Sequence, residues 1–314
     1  MKDRARGCLV GQFVGDALGS QVEFMSSRQI KSRFPDGVRE IAQSLTWNTL
    51  PGQITDDSEM ALALARTLVK TGRYDGRAVL SAYRAWLGSG PFDCGNTIRS
   101  SLKGCPNPDS QANGALMRIS PLGIWGVSQD RERLWQAAGE DAMLTHIHPV
   151  CVQVNRIFAA LLAEAIRTEK DGKALCAELL RRPEGFSGAP VIPEVRDCML
   201  RAESEKPVLD GMNKGWVLLA FQNALWQLLH AGSFEDAVVD TVMGGGDTDT
   251  NAAICGALMG AVCGYHAIPS RWSTAVLNCR PDKEHHAACP RPAFCWTGDA
   301  LPLADSLAGS TPQR

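Results

Sequence analysis

Residues 7–19 read GCLVGQFVGDALG, and the glycines in this stretch fall at every fourth position: Gly7, Gly11, Gly15 and Gly19. In a helix of 3.6 residues per turn, that spacing puts all four on one face. A face of glycines has no side chains to hold a neighbour away, so another backbone can approach it closely. The stretch therefore predicts a tightly packed helix near the start of the chain.

Apolar residues recur at helical spacing along most of the chain. Residues 58–70 (SEMALALARTLVK) form an amphipathic run of good helix formers, and residues 215–231 are apolar on nearly every face, which is typical of a central helix. Further helices are predicted at 76–88, 131–145, 150–169, 171–182, 194–204, 234–243 and 250–266. Because Val, Ile and Thr are scattered and do not alternate with polar residues, no strand is predicted. We expect a single compact all-α domain built from many helices.

The domain is expected to cover residues 1–280. Apolar periodicity is lost from Pro281 onward, so residues 281–314 are predicted to form an irregular C-terminal segment that ends in a frayed tail over 304–314. Residues 251–268 have no formal charge unless His266 is protonated, but they are mostly Ala, Gly and Cys. That composition favours a buried helix over a membrane span.

Charge and cysteine content narrow the class of protein. The net charge of −2 over 314 residues gives neither a basic footprint for nucleic acid nor a polybasic patch for a membrane surface. The eleven cysteines contain no C-x-x-C pair, which favours a reducing compartment. Charged residues at the start of the chain make a poor secretory signal. The expected location is the cytoplasm, and the expected ligand is a small molecule or a protein.

Two short acidic clusters precede predicted helices. Residues 55–58 (TDDS) lie directly before the 58–70 helix, and residues 244–250 (GGGDTDT) lie directly before the 250–266 helix. One Ser, Thr or Asp suffices to cap a helix, and negative charge there gains only about 0.3–1 kcal/mol. If the clusters face each other, each close pair of carboxylates repels by about 4 kcal/mol at an effective dielectric near 20. Bound cations would make that arrangement stable, and the all-oxygen donors favour Mg²⁺ or Mn²⁺.

An ordered set of motifs resembles the ADP-ribosylglycohydrolase family over residues 5–275. The motifs are Gly11-x-x-x-Gly15-Asp16-Ala17-Leu18-Gly19, Val22-Glu23-Phe24, Pro51-Gly52-Gln53-Ile54-Thr55-Asp56-Asp57, Asp93-Cys94-Gly95-Asn96-Thr97, Asn113-Gly114-Ala115-Leu116-Met117-Arg118, Thr145-His146-Ile147-His148-Pro149 and Gly245-Gly246-Asp247-Thr248-Asp249-Thr250. Any one of them is a weak signal, whereas the set in this order is highly specific. The resemblance implies an all-α fold with a cleft that holds two adjacent divalent cations.

The resemblance also implies ligands for each cation. Thr55, Asp56 and Asp57 would hold one; Asp247, Asp249 and Thr250 would hold the other. Asp249 would bridge the two ions, and Glu23 would reach the pair. Asp93 matches the family position proposed for proton transfer, with Glu23 as its rival, because a carboxylate held loosely near a metal can also activate water.

Contacts to the substrate are implied in the same way. Asn96 would hydrogen-bond a ribose hydroxyl, the Asn113-Gly114 turn would bring backbone amides to the pyrophosphate, and His146 would be the active-site histidine of the THIHP motif. Trp216 falls where relatives carry an aromatic residue that stacks on adenine, and packing in the core is the alternative for so apolar a stretch.

The function implied is hydrolysis of the N-glycosidic bond between ADP-ribose and a modified arginine of a protein. Two alternatives stay open: a hydrolase of serine-linked or other ADP-ribose conjugates, and a binding protein that neutralises a partner ADP-ribosyltransferase. The intact acidic residues argue against a loss of catalysis but do not exclude an added binding role.

Overall fold

The structure, a computed structural model, describes residues 1–309 and contains no strand within that range. Its α-helices are α1 (Lys2–Gly19), α2 (Ser27–Arg33), α3 (Asp56–Thr71), α4 (Gly76–Gly88), α5 (Asn96–Leu102), α6 (Ser120–Trp125), α7 (Arg131–Met143), α8 (Pro149–Thr168), α9 (Gly172–Arg181), α10 (Glu184–Ser187), α11 (Pro193–Arg201), α12 (Val217–His230), α13 (Phe234–Met243), α14 (Thr248–Cys263), α15 (Ser270–Asn278) and α16 (Ala300–Ala308). Every helix expected from apolar spacing is present, with ends that differ by a few residues. The all-α prediction is confirmed.

Helices α1 and α14 lie antiparallel and unusually close. A Cβ added at Gly15 would lie 1.9 Å from the carbonyl oxygen of Ala252, and one added at Gly11 would lie 2.3 Å from that of Gly256. At the two ends of the same seam, Gly7 meets Gly260 and Gly19 meets Thr248. The glycine face of α1 therefore allows the two backbones to touch, and it fixes where α14 begins relative to the end of α1.

The C-terminal prediction needs a correction. The expected irregular segment contains α16, which packs on α1, α3 and α6 and buries Ala304 and Leu307 completely. The Arg6 guanidinium also donates to both carboxylate oxygens of Asp305, at 2.8 and 2.6 Å. The nine residues of α16 give too short an apolar pattern to be distinguished from a tail in the sequence. Residues 310–314 of the expected tail lie outside the described residues.

Helix α8 is, among residues 1–309, the one helix long and apolar enough to cross a membrane, with a mean hydropathy of 1.4. Within its most apolar window, 83% of the residues are buried inside the protein. Packing against the rest of the fold accounts for its composition. The sequence of the uncharged stretch 251–268 favoured a buried helix over a membrane span. This stretch forms most of the buried helix α14.

Candidate active site

A cavity of about 350 Å³ lies at the first turns of α3 and α14. It brings together most of the residues predicted from the sequence: Glu23, Asp56, Asp93, Asn96, Asn113, Gly114, His146, Asp247, Asp249 and Thr250. Thr55 and Asp57 do not line it; they are buried beside Asp56, with exposed fractions of 0% and 1%. Trp216 lies outside it as well. The two acidic clusters of the sequence therefore meet at one cavity.

The C-terminal half of α1 holds the two acidic helix starts in place. Thr55, the first residue before α3, makes no capping bond of its own. Instead the Asp16 carboxylate of α1 accepts the backbone N–H groups of Thr55 and Ser58, at 3.1 and 3.2 Å, and the Thr55 hydroxyl at 3.0 Å. On the other side, the Thr248 hydroxyl of α14 donates to the carbonyl of Gly19 at 2.7 Å. A cap supplied by a neighbouring helix frees Asp56 and Asp57 from capping α3.

Five carboxyl groups line the cavity, those of Glu23, Asp56, Asp93, Asp247 and Asp249, and a sixth, that of Asp57, is buried beside them. Burial raises the pKa of every one of them, and repulsion between neighbouring carboxylates adds to the rise for most. The pKa reaches about 8 at Glu23 and about 6 at Asp93, and it is raised well above the ordinary value at Asp249. Ionising this many neighbouring buried carboxyl groups is unfavourable when no counterion is present. Bound cations would stabilise their ionised forms.

The donor set fits hard divalent cations. Glu23, Asp247 and Asp249 each offer a ligand atom within 4.8 Å of the others. Among the described residues, the buried Oδ1 of Asp57 has no hydrogen-bond partner, although its Oδ2 lies 3.1 Å from the Thr55 hydroxyl oxygen. A buried carboxylate oxygen without a partner costs free energy unless another group satisfies it. Because the available donors are all oxygen atoms, Mg²⁺ or Mn²⁺ would satisfy this position better than a softer metal.

Glu23 and Asp93 are the two candidates for proton transfer, and both line the cavity. The indole N–H of Trp47 donates to Oε2 of Glu23, which fixes the direction of that side chain. Repulsion from Asp93 is second only to burial among the causes that raise the pKa of Glu23. The two groups therefore influence each other, and a carboxyl group at either position is of the kind that general acid–base catalysis uses.

A buried hydrogen-bond network fixes His146. The Arg118 guanidinium, fully buried and paired with Asp141, donates to the Thr145 hydroxyl at 2.8 Å. That hydroxyl lies 2.8 Å from Nδ1 of His146, and its remaining proton can donate to this nitrogen. Burial, with help from Arg118, lowers the pKa of His146 to about 3, so the ring is neutral. We infer a neutral imidazole with its proton on Nε2, a buried atom without a partner among the described residues.

The Asn113-Gly114 turn closes one side of the cavity. The Asn113 amide donates to Oδ2 of Asp247 at 2.7 Å, which ties the turn to the second acidic cluster. A Cβ at Gly114 would lie 2.9 Å from Ile98 and 3.1 Å from the ring of His146, so a larger residue would force them apart. Asn96, the exposed first residue of α5, also lines the cavity, and it stays a predicted ribose contact.

The comparisons with known proteins agree with this geometry. The family model described as ADP-ribosylglycohydrolase matches residues 1–311. The chain belongs to the ADP-ribosylglycohydrolase family. A solved structure titled ADP-ribosylglycohydrolase-related protein complex has a TM-score of 0.79 and 29% sequence identity, and the alignment covers 99% of both chains.

Three named relatives are similar to this member of the ADP-ribosylglycohydrolase family over most of its length. The ADP-ribosyl-[dinitrogen reductase] glycohydrolase of Rhodospirillum rubrum is 33% identical, with 86% of this chain and 89% of that protein covered. ADP-ribosylarginine hydrolase Tri1 of Serratia proteamaculans is 27% identical, with 86% and 74% covered. The human ADP-ribosylhydrolase ARH3 is 23% identical, with 86% and 88% covered.

Several residues of this ADP-ribosylglycohydrolase site were not predicted as site residues, among them Asp16, Phe24 and Lys214. Asp16 supports α3, Phe24 lines the cavity, and Lys214 lines it from the loop before α12. Asp16 and Phe24 stand inside motifs that carried the family resemblance, and an aspartate within the apolar 7–19 helix is itself a signal of a buried polar contact. Lys214 has no such signal, because a lone lysine beside a glycine is ordinary on a surface.

Trp216 borders a separate, open cavity that shares Ala112 and Gly215 with the active-site cavity. Its indole is half-buried against the core, and its N–H donates to the Gln111 side chain at 2.9 Å. Both interpretations made from the sequence, stacking on adenine and packing in the core, therefore remain open at this position.

We expect Trp216→Ala to weaken the binding of ADP-ribose by about 5–150-fold, because base–aromatic stacking contributes about 1–3 kcal/mol. Trp216→Tyr keeps an aromatic face and should retain most of the affinity. Calorimetric titration with ADP-ribose and the melting temperature, measured on the same preparations, separate the two roles. A large fall in melting temperature with unchanged affinity would assign Trp216 to the core, where loss of a Trp costs about 3–5 kcal/mol.

Proposed function

We propose that this protein hydrolyses the N-glycosidic bond between ADP-ribose and a modified arginine of a protein substrate. The observation that carries the proposal is the convergence of five carboxyl groups on one cavity, with a sixth, Asp57, buried beside them, in a chain of the ADP-ribosylglycohydrolase family. The choice of arginine is supported by the ADP-ribosylarginine hydrolase among the relatives at 27% identity, against 23% for human ADP-ribosylhydrolase ARH3.

Two divalent cations, Mg²⁺ or Mn²⁺, are proposed as the cofactors. Thr55, Asp56 and Asp57 would hold one, and Asp247, Asp249 and Thr250 would hold the other, with Glu23 within reach. Cations in such a pair supply a positive charge that orients ribose hydroxyls and makes a water molecule more acidic. The unpartnered Oδ1 of Asp57 and the close approach of Glu23, Asp247 and Asp249 support this assignment.

Proton transfer at the reacting bond is assigned to Asp93. The guanidine that leaves is strongly basic, so it must depart protonated, and a carboxyl group beside it has to manage that proton. Asp93 lines the cavity, and burial followed by repulsion from Asp247 raises the pKa of its carboxyl group to about 6 in the absence of cations. Glu23, with a pKa of about 8, is the rival for this step.

The substrate side of the site would contact both halves of ADP-ribose. We assign Asn96 to a ribose hydroxyl, the backbone of Asn113 and Gly114 to the pyrophosphate, and Nε2 of His146 to a substrate oxygen. The partner is then an ADP-ribosylated protein, and a cognate ADP-ribosyltransferase is a second possible partner. Eleven free cysteines support a location in the reducing cytoplasm.

Assays on matched conjugates test the proposal. A peptide carrying ADP-ribose on arginine and the same peptide carrying it on serine are incubated with the wild-type protein and Mg²⁺ or Mn²⁺. We expect release of ADP-ribose from the arginine-linked peptide at least about ten times faster. Faster release from the serine-linked peptide would favour the alternative hydrolase. Binding of a transferase without release from either peptide would favour the neutralising protein.

A further inference from the structure

Three aromatic rings form a cluster beside the carboxyl groups that handle the proton. The rings of Phe24 and Trp47 have centroids 6.3 Å apart, and those of Trp47 and Phe92 have centroids 5.7 Å apart. This aromatic cluster adjoins the reacting groups in the chain, because Phe24 follows Glu23 and Phe92 precedes Asp93. The indole N–H of Trp47 also donates directly to Glu23.

The backbone holds Phe24 in an unusual conformation at the cavity. Its φ of 67° lies in the left-handed region, which a bulky residue rarely adopts. The backbone N–H of Phe24 donates to the carbonyl of Gly246 at 2.8 Å, and that of Gly246 donates to Met25 at 2.9 Å. These bonds clamp the segment to the turn that carries Asp247. Backbone strain of this kind is concentrated at functional sites. Here the strained backbone holds the side chain of Phe24, which is 53% exposed, at the wall of the cavity.

The surroundings of Phe24 favour a cation. The ammonium group of Lys214 lies 5.0 Å from the centroid of the Phe24 ring, a distance at which an aromatic face attracts positive charge. Glu23 and Asp93 supply negative charge on the cavity side. Phe24 is 53% exposed, so a planar, delocalised cation such as a guanidinium can reach its ring beside these carboxylates, by displacing the Lys214 ammonium or by approaching the other face.

We propose that the aromatic cluster of Phe24, Trp47 and Phe92 binds the guanidinium of the substrate arginine and thereby selects arginine-linked conjugates. This inference rests on the proposed function. Phe24 acts by contact with the leaving group, and Trp47 both completes the cluster and positions Glu23. A serine-linked conjugate has no cation to place there, so the cluster contributes to one linkage and not to the other.

Substitutions at Phe24 test the proposal, with arginine-linked and serine-linked peptides and free ADP-ribose as probes. Phe24→Leu keeps apolar bulk but removes the π face. We expect kcat/KM for the arginine-linked peptide to fall about 3–30-fold, mainly through KM, the range that a cation–π contact supports. The rate on the serine-linked peptide and the affinity for ADP-ribose should stay within about twofold of wild type. Phe24→Tyr retains the ring and should restore the lost activity.

Two further variants complete the experiment. Phe294→Leu removes an aromatic ring of similar exposure (47%) outside the cavity and should change nothing, which controls for the loss of an exposed ring. Trp47→Phe keeps a ring but removes the bond to Glu23. It should therefore lower kcat while KM stays close to wild type, the reverse of the split expected for Phe24→Leu.

Each outcome has a distinct meaning. If wild-type protein fails on the arginine-linked peptide, the proposed function is rejected. If wild-type protein cleaves that peptide and Phe24→Leu does so equally well, the aromatic cluster has no role in selection. An equal loss on both peptides, or a loss of affinity for free ADP-ribose, would place Phe24 against ADP-ribose instead and would overturn the inference.

Discussion

Asp249→Ala is expected to lose both cations and to reduce turnover by about 10³-fold or more, beyond the 10–100-fold typical of outer partners of a metal site. Asp249 is 1% exposed, and its pKa is raised by burial and then by Glu23, Asp57, Asp247 and Asp93, so it faces both acidic clusters. A carboxylate in that position serves both proposed ions at once. Metal content by elemental analysis and turnover on the arginine-linked peptide measure the two losses.

Thermal stability separates the loss of metal from misfolding. Mn²⁺ should raise the melting temperature of wild-type protein, because a ligand that binds only the folded state stabilises it. Mn²⁺ should not change the melting temperature of Asp249→Ala. In the presence of a chelator, the melting temperature of Asp249→Ala should be at least as high as that of wild type. The substitution removes one buried carboxylate from a group of carboxylates that repel one another. Asp36→Ala, at an exposed position outside the cavity, is the control. Full metal content in Asp249→Ala would show that this residue is not a ligand.

Asp93→Asn should lower kcat by about 10²–10⁴-fold, the usual contribution of a general acid–base group, while metal content and ADP-ribose affinity persist. An amide keeps the size of the side chain but can neither give nor take the proton. Glu23→Gln is the matched variant, and we expect it to weaken metal binding because Glu23 lies with Asp247 and Asp249. Single-turnover kinetics with calorimetric titration of ADP-ribose distinguish the two variants. If Glu23→Gln loses only kcat and Asp93→Asn does not, the assignment of the proton-transfer group is wrong.

The sequence predicted the helices well where apolar spacing is long and regular. Residues 76–88 and 234–243 were predicted with the observed ends, because those helices bury one face. Short helices such as α2 and α6 were missed, since six or seven residues carry too little periodicity to stand out. Helix α16 was missed for a further reason: its stability comes from contacts with α1, which are distant in sequence.

The site was predictable as a set of residues but not as a geometry. Acidic residues before two helices indicated a metal site, yet only the contact between α1 and α14 explains why the clusters meet. The glycine spacing predicted that some backbone approaches α1 closely, without identifying which one. Asp16 could not be assigned a role from the sequence, because its partners Thr55 and Ser58 lie about forty residues away. The place of Trp216 beside the cavity likewise depends on the loop that precedes α12.

The dependence of hydrolysis on metal tests most directly whether the carboxyl groups converge to bind two catalytic cations. Protein stripped of metal by chelation is dialysed free of chelator and incubated with the arginine-linked peptide, and intact arginine is detected by mass spectrometry. We expect no release in the stripped protein, and full release once Mn²⁺ or Mg²⁺ reaches about two ions per chain. Unchanged release from the stripped protein would contradict the account.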